Sequence, residues 1–412
     1  MVSFPSESTL AAEGERAILE TGGKHPMEPE DFTERKWGQL VKTAQGYWAF
    51  GPDNLPPDLE LSWSLARTLS DADRALASLA GTARDLRNPH LLIRPFIRRE
   101  AVLSSRIEGT QASLSDVFFF EAAEIPGERQ KSSSDVVEVV NYARALEYGM
   151  ERLSSLPLSL RLIREIHEKL LTGVRGQHQT PGEFRRSQNW IGRPGCTLME
   201  ASYVPPPLPE MQEALDAFEK YLYAAPDVPP LVRLAFIHYQ FEAIHPFLDG
   251  NGRIGRLLVS LLMCSEGLSS QPLLYLSAYL EKHREEYYNH LLAVSQEGSW
   301  AAWVDFFLRG VAEQARDALE RTRRLLDLWE TYRKQVSAGR ASALLPRLID
   351  ALFETPVISV PQTARLLGVT DAAARKNVEK LVGAGILTEA RSTRPRLYLA
   401  QDVFRVVDAP LD

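Results

Sequence analysis

From Leu61 onward, apolar residues recur at spacings of three and four along most of the chain. That spacing is the mark of helices that bury one face. Three helices are predicted within 61–153. They lie in LSWSLARTLSDADRALASLAGTARDL, in LLIRPFIRREAVLSSRIEG with Gly109 just past its end, and in SSDVVEVVNYARALEYGMERL. Further amphipathic segments follow at about 158–172, 208–224, 229–244, 253–267, 281–297 and 300–334. The pattern predicts a mainly α fold.

Three stretches break the helical period. Residues 1–35 are polar and acidic with scattered Pro and Gly, and read as a flexible arm. From Trp37 to Leu61, aromatic residues and prolines suit an extended strap lying over another surface of the chain. The segment Pro181–Pro207 carries two short extended runs, Trp190–Gly192 and Ala201–Val204, which read as a short β-hairpin whose edge an incoming peptide could pair with. The last part, 343–412, reads as helices over Leu345–Phe353, Pro361–Leu367 and Asp371–Val382, then ILTEA, the basic loop RSTRPR and LYLA. That order is helix-turn-helix followed by a two-stranded wing, a winged-helix domain.

A length of 412 residues suits two to three domains with a sizeable core. A formal charge of −7 gives no global case for nucleic-acid or membrane binding, so any such role rests on a local patch. Cys196 and Cys264 lack CxxC spacing, which argues against a zinc site or disulfide framework and suits a cytoplasmic protein. No leader pattern is visible, and no run of about 18 apolar residues suggests a membrane span.

The chemistry concentrates in HPFLDGNGRIGR, His245–Arg256. Pro246 disfavours a helical conformation at His245, so the helix over LVRLAFIHYQFEAI stops there. A second helix begins after Gly252, so Asp249–Gly252 lies at a helix N-terminus that presents free N–H groups to an anion. Gly250 and Gly252 let backbone amides approach phosphate oxygens. Asp249 is a hard oxygen ligand suited to Mg2+, with Mn2+ an alternative. Arg253 and Arg256 can fork onto phosphates, and neutral His245 can accept a proton from a hydroxyl. Any one of these features alone is ordinary; their concentration in one window is not.

The window resembles the Fic domain family, matching its signature HPFx[D/E]GNGRxxR at every fixed position. The likeness extends to HYQFEAIHPF, the upstream hairpin, LSAYLEKHREEYYNHL and WAAWVDFFL. It implies a helical Fic fold and a protein adenylyltransferase that moves AMP from ATP to a Ser, Thr or Tyr hydroxyl of a target protein, itself included. By that resemblance His245 is the general base, Asp249 holds the metal, and Gly250, Asn251 and Gly252 form the anion hole. Arg253 and Arg256 bind the phosphates, the hairpin is a flap that aligns the target, and Tyr288 and Asn289 shape the adenine pocket.

In EAVLSSRIEGT, Ser104 and Glu108 fall on one helical face. The pattern resembles the inhibitory [S/T]xxxE[G/N] helix of some Fic proteins, which implies that Glu108 pairs with Arg256 and displaces the γ-phosphate. The domain reading is then a strap and helices with the inhibitory helix over 36–125, the Fic catalytic core over 126–335, and the winged helix over 343–412. Two other functions stay open: removal of AMP from a modified protein by the same site, and a DNA-binding regulator with a nucleotide-sensing core. Arg375, Lys376 and Lys380 on the third helix of the wing module, with Arg391, Arg394 and Arg396 on its wing, are opposed by Asp371, Glu379 and Glu389. A homodimer is compatible with the sequence.

His167 begins like a zinc-protease HExxH, but position 171 is Leu, so no metal site is expected there. His238 reads as core rather than support for His245. The Trp300, Trp303, Phe306 and Phe307 cluster reads as packing.

Overall fold

A computed structural model describes residues 26–85, 90–123, 133–225, 228–269, 271–337, 344–390 and 396–409. Among them the chain is mainly helical, with fifteen α-helices and two small antiparallel sheets. No described helix is long and apolar enough to cross a membrane.

Two helices form the centre. α7 (Pro230–Ile244) starts on a proline whose missing N–H costs nothing at a first turn, and it is buried from Leu231 to Ile244 apart from Glu242. α8 (Asn251–Ser265) is buried from Asn251 to Met263. Both are therefore surrounded by protein, and the His245–Gly250 corner between them is held from several sides. Around them pack α4 (Ser134–Arg152), α5 (Leu160–Leu171), α6 (Leu208–Tyr223) and α10 (Arg284–Glu297), with α9 (Ser277–Lys282) against α10 and α11 (Trp300–Ser337). The single helix expected at 281–297 is thus preceded by a separate short turn of helix, with the break at His283. α11 runs 38 residues, about 57 Å at helical rise, and packs against α1 (Trp63–Asp85), α7 and the C-terminal module.

The N-terminal half holds one more helix than the three predicted. α2 (His90–Ile107) is followed by α3 (Leu114–Ala123), whose FFFEAA run is apolar on several faces and so shows no helical period. Its start is nonetheless written in the sequence. The Ser113 and Asp116 side chains bond each other's backbone N–H, at 3.2 and 2.9 Å, a reciprocal cap.

The strap begins as a hairpin, which its reading as an extended segment missed. β1 (Gly38–Lys42) pairs with β2 (Trp48–Pro52), and Leu40 faces Phe50. Residues 1–25 of the expected arm lie outside the described residues; 26–35 are held. Met27 N–H donates to Ala201 O (2.9 Å), Thr33 N–H to Gln296 O (2.8 Å), and Phe32 stacks on Phe50. The expected flap hairpin is a single antiparallel bridge, Ile191 with Tyr203, closed by two hydrogen bonds of 2.8 and 3.0 Å. Its second run is covered on the other side by this same N-terminal segment, since Phe50 N–H donates to Val204 O at 2.8 Å. That side is not open to an incoming peptide.

The C-terminal module is α12 (Leu344–Glu354), β3 (Val357–Ser359), α13 (Val360–Leu367), α14 (Asp371–Gly383), β4 (Thr388–Glu389), β5 (Leu397–Leu399) and α15 (Gln401–Asp408), with sheet order β3-β5-β4. α13, α14, β4 and β5 overlap the segments read as the helix pair and the two wing strands. β3 is too short to show a period, and α15 was not anticipated. Its last carbonyls, Val406 O, Val407 O and Ala409 O, accept from the Arg321 guanidinium of α11 at 2.6–3.2 Å. The module packs on α2 through α12 and α15 and on α3 through β3.

Candidate active site

α7 ends because His245 adopts a left-handed backbone (φ 48°, ψ 60°), an uncommon state for a residue with a Cβ that surrounding contacts must hold. Here they do. The His245 carbonyl accepts from Arg185 Nε (3.1 Å) and Asn189 Nδ2 (3.2 Å), and Pro246 O accepts from Arg185 N–H (2.9 Å). Phe247 is gripped at both backbone groups by the Asn251 side chain, each at 2.8 Å, and its carbonyl also by Asn189 Nδ2 at 2.7 Å. Gly250, at φ 82°, turns the chain into α8, a conformation that favours glycine. Arg185, Asn189 and the scaffold role of Asn251 were not singled out by the sequence reading. Their only signal was a run of polar residues, RRSQN, in a segment without helical period.

The turn delivers His245 to a cavity lined by Glu108, Glu242, His245, Gly252 and Arg256 together with apolar and aromatic side chains. His245 Nδ1 lies 3.3 Å from Glu242 O. A carbonyl only accepts, so Nδ1 carries the proton and Nε2 keeps a free lone pair. Burial, outweighing the Glu242 carbonyl and reinforced by the Arg185 charge, lowers the imidazole to about 4, so it is neutral at working pH.

Arg256 is held through Nε and Nη2. Its Nε donates to Ser104 Oγ (2.9 Å), Nη2 to Ser104 O (3.0 Å), and Nη2 also pairs with Glu108 Oε1. All three groups are buried. Burial alone would raise the Glu108 carboxyl, but the Arg256 charge and hydrogen bond outweigh it and hold Glu108 ionised. Burial likewise opposes the Arg256 charge, and Glu108 overcomes that and raises its pKa. A Cβ on Gly252 would collide with Glu108 Oε1 and crowd Arg256 Nη1, so the carboxylate lies against the first turn of α8. The anion at this helix N-terminus is the chain's own. Glu108 stands one residue beyond α2, not within it.

Glu242 is a second acid in the cavity, unremarked by the sequence reading. Burial pushes it up to about 8, against the pull of Arg256 and with the help of Glu108, so it is protonated at neutral pH; its buried Oε1 has no hydrogen-bond partner.

Asp249 Oδ1 bonds Arg253 Nη2 (3.1 Å), whereas its Oδ2 is buried without a partner. Among the described residues no cluster of three His, Cys, Asp or Glu could hold a metal by itself. Asp249 does not line the cavity, and its Oδ2 lies against Gly176; a single carboxylate oxygen is the kind of ligand Mg2+ takes beside phosphate and water. Arg253 is turned inward to Asp249 and to Glu138 (3.4 Å) and does not line the cavity.

Tyr288 lines the cavity with Leu291, Leu292 and Ser295 of α10 and with Ile191 and Tyr203 of the flap. Asn289, one position round the helix, is exposed and lines a separate surface depression with Lys282 and His283, so the structure does not bring it to Tyr288's wall. His238 bonds Gly255 O (3.1 Å) and Tyr287 Oη (2.8 Å) in the core, beside the stacked ring of Trp303.

Comparison with known proteins bears on this arrangement. The chain matches the description "Fic/DOC family N-terminal" over residues 66–151 and "Fic/DOC family" over 157–263. It is 27% identical over 242 residues to the protein adenylyltransferase Fic of Drosophila persimilis, covering 57% of this chain and 40% of that protein. To the Drosophila grimshawi protein of the same name it is 29% identical over 231 residues, covering 55% and 39%. The chain thus spans about two fifths of the length of these relatives. A Fic family protein from Desulfovibrio desulfuricans G20 shares its fold, with a TM-score of 0.53 at 20% identity over 84% of this chain and 98% of that one. So does Fic-1 (aa134–508) from C. elegans, with a TM-score of 0.50 at 24% identity over 64% and 74%. Residues 66–151 and 157–263, which hold α2, the flap and the His245–Arg256 corner, match the N-terminal and core domains of the Fic/DOC family, so this part of the chain carries a Fic domain.

Proposed function

We propose that this protein is an adenylyltransferase that moves AMP from ATP to a hydroxyl side chain of a protein, and that Glu108 restrains it. The reading rests on one juxtaposition: a neutral histidine with a free Nε2 lone pair, a helix N-terminus and a buried arginine line one cavity, and the arginine is held by the chain's own carboxylate. The relatives named protein adenylyltransferases supply the reaction.

In this reading the first-turn amides of α8 and Arg256 bind the phosphates, and the wall of Tyr288, Leu291 and Leu292 takes the base. Asp249 Oδ2 would hold a magnesium ion, which when bound neutralises phosphate charge. The target hydroxyl gives its proton to His245 Nε2 and its oxygen bonds the α-phosphorus. The bond to the β-phosphate bridging oxygen breaks, and pyrophosphate leaves. Glu108, by occupying Arg256 and lying on Gly252, displaces the phosphate tail that would align the α-phosphorus.

The test is incubation of wild type, Glu108→Gly and Glu108→Gly/His245→Ala with ATP and magnesium, read by intact mass. Glu108→Gly should gain AMP adducts, wild type few, and the double variant at least about a hundredfold fewer than Glu108→Gly. Equal labelling of all three would contradict the assignment. Glu108 and His245 share the cavity, so a water held by the carboxylate could instead hydrolyse an AMP-protein bond, its oxygen bonding the phosphorus while the protein hydroxyl leaves with a proton. Release of AMP from a modified protein by wild type but not by Glu108→Gly would favour that second reading.

A further inference from the structure

His167 on α5 is completely buried, and both its ring nitrogens are committed. Nδ1 accepts from Gly182 N–H at 2.9 Å, so Nε2 carries the proton, and Nε2 lies 3.0 Å from the Asp249 carbonyl. No lone pair is left for a metal. The ring stacks on Phe247 with centroids 3.7 Å apart and planes 8° apart, which fixes where Nε2–H points. Next along the chain is Gly250, whose missing Cβ would sit in contact with Leu170 and the same imidazole.

In a planar trans peptide, the carbonyl of one residue and the N–H of the next point in opposite directions. Pinning the Asp249 carbonyl toward α5 therefore turns the Gly250 N–H away from α5, and it also fixes the backbone from which the Asp249 side chain projects. We propose that His167 is a positioning residue for the phosphate cradle: by holding the Asp249–Gly250 peptide it sets the direction of the Gly250 N–H and of the Asp249 carboxylate. The same ring holds Gly182, at the start of the segment leading through Arg185 and Asn189 to the flap, so cradle and flap share one anchor. This rests on the nucleotide reading of the cavity.

The test uses the full chain with Glu108→Gly, so that Arg256 is released, and measures binding of magnesium ATP and of adenosine by calorimetry. His167→Phe keeps a ring over Phe247 and removes both hydrogen bonds. It should weaken ATP about tenfold or more while adenosine stays within about twofold. His167→Gln, whose amide places a donor near the position of Nε2, should restore most ATP affinity; His167→Asn, which reaches only the Nδ1 position, should not. Parallel loss of ATP and adenosine, no loss of either, or equal affinities of the Gln and Asn variants would overturn the proposal. The Gln and Asn pair decides the matter if the Phe variant does not fold. If the Glu108→Gly parent binds neither ligand, the nucleotide reading itself fails, and this inference with it.

Discussion

Arg256 has two anions to choose between, and the present one is Glu108. Two buried opposite charges gain little net stability, because both are desolvated, but removing one partner leaves the other uncompensated, a loss of about 3–5 kcal/mol. Glu108→Gly should therefore melt below wild type without ligand, and magnesium ATP should raise its melting temperature more than that of wild type. Equal shifts in the two proteins would show that Glu108 and nucleotide do not compete. His245 makes a second prediction. Its pKa is lowered to about 4, so the neutral base is lost only as pH falls toward that value. At saturating magnesium ATP, the Glu108→Gly rate should hold from pH 8 to about 5.5 without the fall near 6.5 of an ordinary histidine. The stability sign agrees. His167, held near 4, and His238, held near 3, are also neutral when folded, so unfolded chains take up protons first and stability falls as pH drops below about 6.5. A half-maximal rate at 6.5 would contradict the burial argument.

At the scale of elements, the corner between α7 and α8 carries the function, and its backbone is held by groups far apart in sequence. Helix periods, the proline after His245 and the glycines at 250 and 252 made the corner and its polarity legible. The pattern [S/T]xxxE[G/N] likewise pointed to the Glu108–Arg256 pair. What the sequence hid were the supports: Arg185, Asn189 and His167 act through backbone carbonyls, and no spacing rule connects them to residues 245–249. α3 was hidden for another reason, since an element apolar on several faces has no period. Hairpin β1–β2 was masked by the prolines and aromatics of its strap. Gly252→Ala separates helix formation from cradle function. Gly252 lies in a right-handed helix, where Ala is favoured, so the fold should not suffer from the backbone. Its Cβ would nonetheless strike Glu108 and crowd Arg256. The variant should loosen the Glu108 contact and still lose ATP affinity about tenfold or more; full ATP affinity by calorimetry would show that phosphates do not approach this turn.

For the whole molecule, α2 is the shared element. On one side Glu100 bonds Tyr142 Oη (3.2 Å) and Ser277 N–H (3.3 Å), and Ser104 bonds Arg256; on the other side α12 and α15 of the C-terminal module pack against it. The module's outward helix α14 exposes Arg375, Lys376 and Lys380 beside Asp371 and Glu379, and Arg396 pairs with Glu389 at 3.4 Å; Arg391 and Arg394 lie outside the described residues. Three cations against two acids on one helix support few phosphate contacts. Duplex DNA titrated with the full chain at two salt concentrations should show at most weak binding, with a log–log slope near −2 to −3. A slope beyond about −5 would give the module a larger basic surface than α14 supplies.

The central claim is that the cavity transfers the α-phosphorus of ATP when Glu108 no longer holds Arg256. The most direct measurement is parallel labelling of Glu108→Gly with α-labelled and γ-labelled ATP in magnesium, beside wild type. Label from the α-phosphate alone, strong in the variant and faint in wild type, is the predicted result. Label from the γ-phosphate, or equal α-label in both proteins, would contradict it.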